Sequence, residues 1–181
     1  MARPSGHRSV IAVGGVVRLG EGIVLVRLTY SRHRGKFMFP GGKVDPGESL
    51  EAALVREVRE EAGIEAEPLG IVAVRHRVDP AELNTFVIFE MRHLSGEPRA
   101  VSPEADEVRV FDADDLRRTP KAFVGLVPEI ALPVLDGTYT QLARNDDFAP
   151  APYGPDTFRI YGPGGRTLPE LERFDQSGLG E

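Results

Sequence analysis

Residues 42–64, GKVDPGESLEAALVREVREEAGI, constrain the fold more than any other stretch of the chain. A turn rich in glycine and proline, residues 42–48, is followed by a helical pattern from Ser49 to Ala62, and Gly63 stands where a helix ends. The apolar side chains of this segment form one arc on a helical wheel: Leu50, Leu54, Val55, Val58 and Ala62. The sequence therefore predicts an amphipathic helix that packs one face against a sheet, directly after a tight turn.

Three glutamates lie together on the arc beside the apolar face of this helix. Glu57, Glu60 and Glu61 span about 100° of the helix, and like charges at this spacing repel by about 0.2–0.5 kcal/mol per pair. Mg²⁺ and Mn²⁺ prefer carboxylate oxygens, so a bound cation would remove the repulsion. The cluster therefore predicts a divalent-metal site. The alternative interpretation is a solvated face whose charges are balanced by Arg56 and Arg59.

The rest of the chain reads as one domain with an extension. Strand patterns cover residues 9–19, 21–30, 68–78, 85–92 and 107–111, and helical patterns cover residues 114–118 and 122–135. The 31–48 stretch reads as a loop because glycine and proline interrupt it. Residues 1–8 are expected to be a flexible terminus, 9–148 the domain, and 149–181 a Pro/Gly-rich extension. That extension is either disordered or wraps around the domain or a partner subunit.

Composition excludes several classes of protein. The chain has no cysteine, so disulfides, thiolate metal sites and a cysteine nucleophile are excluded. No apolar run approaches the roughly 18 residues that a membrane span needs. The net charge of −6 disfavours a long nucleic acid as partner, since such binders are usually basic. A cytoplasmic protein without membrane or long nucleic-acid partners is expected.

The 42–64 segment resembles the Nudix box, the pattern G-x5-E-x7-R-E-U-x-E-E-x-G-U in which U is aliphatic. Every position of the pattern is matched, by Gly42, Glu48, Arg56, Glu57, Val58, Glu60, Glu61, Gly63 and Ile64. At about 7% per residue type, a chance match is of order one in a billion per start site. Together with the preceding Phe39-Pro40-Gly41 and the strand order, the resemblance extends over residues 9–135. It implies an α/β Nudix fold, in which a mixed β-sheet is sandwiched between helices.

The resemblance also implies an activity and the residues that carry it. The implied reaction is hydrolysis of a nucleoside diphosphate linked to another moiety, by water attack on phosphorus with Mg²⁺ or Mn²⁺ as cofactor. The implied metal ligands are Glu57, Glu60, Glu61 and the carbonyl of Gly41. The implied catalytic residues are Glu48, Arg56, Glu57 and Glu61. Among these, Glu48 supports the loop and helix geometry through Arg56.

The general base stays open at the level of sequence. Glu57 is one candidate to orient or deprotonate water, and a later acidic loop supplies two more, Glu104 and Glu107. The alternative for that loop is a solvated acidic surface. Glu90, in a predicted strand, either points into the site or lies on an outward solvated face.

Basic residues outside the box are the candidate substrate contacts. Arg27, Arg34 and Lys36 lie in or next to a basic loop, and Arg75 and Arg77 share one face of a predicted strand. A solvated loop is the alternative for the first three. Aromatic stacking on a base is open to Tyr30, whereas core packing is expected of Phe37. Pro80, 16 residues after the box, resembles the ADP-ribose-hydrolysing subgroup.

A small nucleotide derivative is therefore the expected partner, with ADP-ribose or a nucleotide sugar favoured. Alternatives are a nucleoside triphosphate or dinucleoside polyphosphate hydrolase, and a Nudix domain that senses ADP-ribose or a nucleotide without turnover. The complete set of box acids favours an enzyme over a sensor. An isomerase of the isopentenyl diphosphate type is disfavoured by the absence of cysteine, and an RNA-end hydrolase by the acidic balance. The resemblance implies a homodimer.

Overall fold

The computed structural model of the chain describes residues 8–78, 82–145 and 160–163. Nine strands and three α-helices form within these residues. The strands are β1 (Arg8–Leu19), β2 (Gly22–Leu28), β3 (Phe37–Met38), β4 (Gly41–Lys43), β5 (Glu65–Val78), β6 (Glu82–Ser95), β7 (Ala105–Phe111), β8 (Leu142–Asn145) and β9 (Ile160–Pro163). The helices are α1 (Leu50–Ala62), α2 (Ala113–Arg118) and α3 (Leu126–Asp136), with a 3₁₀ turn at Pro120–Ala122.

All nine strands belong to one sheet, in the order β3-β2-β1-β6-β5-β8-β9, while β4 pairs with β1 and β7 pairs with β2. β1 and β6 run parallel over their whole overlap. The other strand pairs are antiparallel. The predicted mixed sheet is therefore confirmed.

The helices cover both faces of this sheet. Side chains alternate between the two faces along a strand, so residues an odd number apart point in opposite directions. A Cβ placed on Gly15 of β1 would lie 3.4 Å from Leu54 and Val58 of α1. Three residues further on, Arg18 donates from Nη1 to the carbonyl of Val134 in α3 at 3.2 Å. α1 and α3 therefore lie on opposite faces, which confirms the predicted sandwich.

Two predictions about secondary structure were wrong. The stretch read as a continuous loop contains β3 and β4, which are too short to leave a period in the sequence. The helix predicted over residues 122–135 begins only at Leu126. The reason is that the preceding backbone pairs with β3, where the N–H of Val124 donates to the carbonyl of Phe37 at 2.9 Å. The Phe123 ring packs at the same place, 6.4 Å from that of Phe37.

The predicted terminal segments fall mostly outside the described residues. Of the extension at 149–181, only residues 160–163 are described, and they form β9 beside β8. Tyr161 of β9 packs its ring edge-on against Phe89, with ring centroids 5.8 Å apart, and its hydroxyl bonds to Glu51 of α1. Within the described residues, no helix combines the length and the apolar character that crossing a bilayer requires.

Candidate active site

Helix α1 has the boundaries that its sequence predicts. The hydroxyl of Ser49 accepts a hydrogen bond from the N–H of Ala52 at 3.1 Å and caps the first turn. Gly63 adopts the left-handed conformation, with φ 67°, and its N–H donates to the carbonyl of Arg59 at 3.1 Å. Both ends are therefore fixed by local hydrogen bonds, and the glutamates of the last two turns hold defined positions relative to the sheet.

An ion pair connects the loop before α1 to the helix. Glu48 accepts two hydrogen bonds from Arg56, Nε to Oε1 and Nη2 to Oε2, each at 2.9 Å. The same guanidinium donates to the carbonyl of Lys43 at 3.2 Å, and the N–H of Asp45 donates to Glu48 at 3.1 Å. The Arg56 hydrogen bonds, followed by that from Asp45, lower the pKa of Glu48 to about 2. This is the bracing role that the resemblance implies for Glu48.

The free side of this guanidinium faces two of the three clustered glutamates. Nη1 of Arg56 lies 2.8 Å from Oε1 of Glu57 and 3.5 Å from Oε2 of Glu60. Arg56 therefore orients Glu57 as well as Glu48, since one rigid fork bonds both carboxylates.

The clustered glutamates line a cavity of about 330 Å³, the acidic cavity. Its walls are Tyr30, Gly42, Lys43, Glu57, Glu60, Glu61, Ser102 and Glu104. Exposure falls steeply among the helix glutamates, from 55% for the Glu60 side chain to 14% for Glu57 and 2% for the whole Glu61 residue. The sequence placed all three beside the apolar arc, whereas the structure turns Glu61 into the protein. Four carboxylates thus surround one small space.

Glu61 is the most deeply buried of these acids. Its Oε2 accepts a hydrogen bond from the N–H of Gly41 at 2.8 Å, and its Oε1 is buried without a hydrogen-bond partner. Burial raises the pKa of Glu61 to about 7, the nearby carboxylates add to the rise, and the Gly41 bond opposes it. Burial also raises the pKa of Glu57, against the effect of Arg56. A positive charge in the cavity would stabilise both carboxylates.

Two glycines allow the backbone to approach these carboxylates. A Cβ on Gly42 would lie 2.4 Å from Oε1 of Glu57, and a Cβ on Gly41 would lie 2.1 Å from the carbonyl oxygen of Val13 on β1. At position 41 the clash is with backbone, so this position requires glycine. At position 42 a Cβ would displace the Glu57 carboxylate from its place in the cavity.

In the described parts of the chain, no three acidic or histidine side chains already converge as a formed metal site. Arg56 lies between Glu57 and Glu60 and satisfies part of their charge. The carboxylates are grouped in one cavity, with the guanidinium as their present counter-charge.

A second cavity of about 630 Å³, the larger cavity, adjoins the acidic one and shares Tyr30, Gly42 and Lys43 with it. Its walls are mainly apolar, from Val10, Ala12, Leu28, Met38, Phe39, Phe86, Val124 and Leu126. Polar contributions come from the 31–33 loop, from Arg75, His76 and Arg77 on β5, and from Asn84 on β6. The Tyr30 hydroxyl stays neutral at the junction, because burial and then the charges of the Glu61, Glu104 and Glu57 carboxylates raise its pKa to about 12.

The structure separates the basic residues that the sequence grouped together. Arg75 and Arg77 line the larger cavity. Arg27, Arg34 and Lys36 line neither cavity. Arg27 instead pairs with Asp106 at 2.7 Å and Glu107 at 2.6 Å across the β2–β7 pair.

Several residues that line the two cavities were not predicted from the sequence. Lys43 follows Gly42 directly in the box loop, which was the available signal for its place at the site. Asn84, His76 and Phe86 carry no such signal, because only the pairing of β5 with β6 and of β6 with β1 brings them to the cavity.

The three candidate later acids also separate. Glu104 lines the acidic cavity. Glu107 pairs with Arg27 outside it. Glu90 is buried on the α3 face, where Gln141 donates to it at 3.0 Å and Tyr139 donates to the same oxygen. Glu104 is therefore the later acid closest to the clustered glutamates, and Glu90 is neither solvated nor part of the site.

Comparison with known proteins agrees with the Nudix resemblance of residues 42–64. The family model described as the NUDIX domain matches residues 8–127. An ADP-ribose pyrophosphatase of Methanocaldococcus jannaschii is 32% identical over 109 residues, which is 59% of this chain and 63% of that protein. A putative 8-oxo-dGTP diphosphatase 2 of Mycobacterium tuberculosis is 39% identical over 95 residues, which is 50% of this chain and 65% of that protein. The chain thus spans just under two thirds of these relatives.

Among solved structures, a MutT NUDIX hydrolase from Burkholderia pseudomallei is similar with a TM-score of 0.60 and 30% identity. The similarity covers 70% of this chain and 97% of that one.

Proposed function

The chain belongs to the Nudix family, and from that premise we propose that it is a pyrophosphohydrolase that cleaves a nucleoside diphosphate linked to another moiety. The observation that carries the proposal is the buried, partnerless Oε1 of Glu61 in a cavity walled by four carboxylates. A buried carboxylate oxygen without a donor is costly, and a bound cation would satisfy it.

The residues present fit a divalent cation, Mg²⁺ or Mn²⁺. Carboxylate oxygens are the ligands that such hard cations prefer, and Glu57, Glu60 and Glu61 face one space. The resemblance adds the carbonyl of Gly41 to this set. When bound, the cation would neutralise phosphate charge and lower the pKa of water. The chain's own contribution is orientation, because Arg56 fixes Glu57 and is itself fixed by Glu48.

The two adjoining cavities suit the two ends of such a substrate. The diphosphate would lie at the junction, where Lys43 is the cation common to both cavities and Gly42 lets the backbone approach closely. One group attached to the diphosphate would enter the larger cavity, whose volume is typical of small-molecule sites, about 300–1,000 Å³. Glu104 is the later acid in position to receive a proton from water.

The group attached to the diphosphate defines the substrate class. The narrow preference for ADP-ribose or a nucleotide sugar depends on Pro80, which lies outside the described residues. The relatives reported above are named for ADP-ribose and for an oxidised guanine nucleotide. The proposal is therefore a nucleoside diphosphate derivative, with both types in the test. The homodimer and the cytoplasmic location stay predictions.

The test is hydrolysis of a substrate panel by the wild type, Glu61→Gln and Glu97→Gln, with Mg²⁺ or Mn²⁺ and with EDTA. The panel contains ADP-ribose, nucleotide sugars, NADH, diadenosine polyphosphates and nucleoside triphosphates. Glu97 is exposed and outside both cavities, so its variant controls for loss of a carboxylate. We expect metal-dependent turnover of at least one compound, lost by orders of magnitude in Glu61→Gln and retained in Glu97→Gln.

Two results would overturn the proposal. Turnover by Glu61→Gln within a few-fold of the wild type would remove the acidic cavity from the reaction. No turnover of any compound, with one of them still raising the melting temperature, would indicate a nucleotide-sensing domain instead.

A further inference from the structure

The larger cavity and the acidic cavity carry opposite charge although they adjoin. Within the described residues, the walls of the larger cavity contain Arg32, Lys43, Arg75 and Arg77 and no aspartate or glutamate. The acidic cavity contains four glutamates. In a chain with a net charge of −6, the positive charge of these described walls favours a ligand group that accepts hydrogen bonds.

Arg75 is held rigidly inside this cavity. Its Nη1 donates to Oδ1 of Asn84 at 2.8 Å and to the Asn84 carbonyl at 3.3 Å. The amide of Asn84 donates in turn to Glu82 at 3.3 Å, which fixes the orientation of that amide. The guanidinium also stacks over Phe86, with its carbon 5.4 Å from the ring centroid. The Nε and Nη2 donors of Arg75 are left without a partner among the described residues.

The described residues do not neutralise the charge of Arg75. In the described part of the chain no carboxylate pairs with it, whereas its neighbour Arg77 lies 2.8 Å from Glu82. Burial lowers the pKa of Arg75, and the charge of Arg77 lowers it further. The Nε and Nη2 donors of this oriented guanidinium are not among the buried atoms that lack a partner, so water reaches them, and a ligand that accepts hydrogen bonds would replace that water.

The walls around this guanidinium favour a flat ring over a hydrated phosphate. Phe86 lies against it, Val10, Ala12 and Met38 line the same cavity, and apolar walls are poor surroundings for a dianion. An arginine fork matches a ring edge that carries two adjacent acceptors, such as O6 and N7 of guanine. The same fork has no acceptor for the amino group that adenine carries beside N7.

We propose that Arg75 is the specificity-determining residue for the base, and that it selects an oxo-base edge such as that of guanine over an amino-bearing edge. The proposal rests on the proposed function, because it assigns the base of that substrate to the larger cavity. Arg75 does not touch the diphosphate in this assignment, so it governs which substrate is used rather than the reaction itself.

The test compares matched pairs of compounds that differ only in the base: GTP with ATP, and GDP-glucose with ADP-glucose. The ratio of kcat/KM within each pair is measured for the wild type, Arg75→Gln, Arg75→Lys and the control Arg92→Gln. Arg92 pairs with Glu67 on the surface and lies outside both cavities. Binding of GMP and AMP without metal, followed as a shift in melting temperature, gives a readout that needs no turnover.

We expect the wild type to favour the oxo-base by about tenfold or more, the size of one bidentate base contact. Arg75→Gln should bring the ratio near one, and Arg75→Lys should lower it, because lysine keeps the charge but lacks the fork. Arg92→Gln should keep the wild-type ratio.

Two outcomes overturn the assignment of Arg75. One is a wild-type ratio near one, and the other is an unchanged ratio in a folded Arg75 variant. If Arg75→Gln does not fold, the wild-type ratio and Arg75→Lys decide. Failure to hydrolyse any compound would contradict the proposed function, whereas hydrolysis without base preference contradicts only the role of Arg75.

Discussion

Replacing Glu61 with glutamine should flatten the pH dependence of stability in the metal-free protein. The pKa of Glu61 rises from 4.5 to about 7 on folding, chiefly through burial. The folded state therefore binds this proton more tightly than the unfolded state does. The stabilisation is complete below pH 4.5 and is lost as the pH rises through about 7.

The magnitude follows from linkage. At about 1.4 kcal/mol per pKa unit, the Glu61 carboxyl should cost the wild type about 2.5 kcal/mol of unfolding free energy between about pH 5 and 8. For a domain of this size that is a fall in melting temperature of about 5–10 °C. Burial raises the pKa of Glu57 as well, so its contribution has the same sign.

The assay is thermal and urea unfolding in EDTA at several pH values, for the wild type, Glu61→Gln and the exposed-acid control Glu97→Gln. Glutamine at position 61 cannot titrate, so the difference between its pH profile and that of the wild type isolates the Glu61 carboxyl. Equal losses of stability in the wild type and Glu61→Gln would refute the reasoning, because Glu61 would then not be buried as a charged group.

The remaining predictions concern the helix, the glycine that precedes the box, and the later acids. Val58→Asp should destabilise the protein by more than about 4 kcal/mol, because it buries an unpaired charge against the sheet; a normal circular dichroism melt would contradict the packing of α1. Gly41→Ala should lower the melting temperature sharply, since its Cβ would lie 2.1 Å from the Val13 carbonyl oxygen, and an unchanged melt would disprove that contact. Glu104→Gln should lower kcat more than Glu107→Gln, which only loses a surface ion pair; equal kcat values would exclude Glu104 as the later acid.

The helix and the general fold could be predicted because their signals are local. Ser49 and Gly63 mark the ends of α1 by their own hydrogen-bonding and backbone preferences, and the 3.6-residue period marks its buried face. The box resemblance then supplied the Nudix fold, which the family match over residues 8–127 confirms.

The features that were predicted wrongly or missed depend on contacts between distant segments. The start of α3 is set by the hydrogen bond from Val124 to Phe37, 87 residues earlier in the chain, and no local pattern encodes it. The burial of Glu61 depends likewise on the backbone of Gly41. Propensity and period describe a helix face, but they do not show which backbone will cover it.

The substrate residues show the same limit. Arg27 and Arg75 are both basic residues on strands, and the sequence alone does not indicate which of them lines the site. The pairing of β2 with β7 places Asp106 and Glu107 against Arg27 and neutralises it. The pairing of β5 with β6 places Asn84 beside Arg75, which orients the guanidinium without neutralising it.

The metal site is tested most directly by a titration of Mn²⁺ into the protein, followed by electron paramagnetic resonance, for the wild type and Glu57→Gln/Glu61→Gln. We expect the wild type to remove Mn²⁺ from the free-ion signal, and the double variant to bind it much more weakly while keeping the fold. Equal binding by both proteins would contradict the claim that the acidic cavity is a metal site.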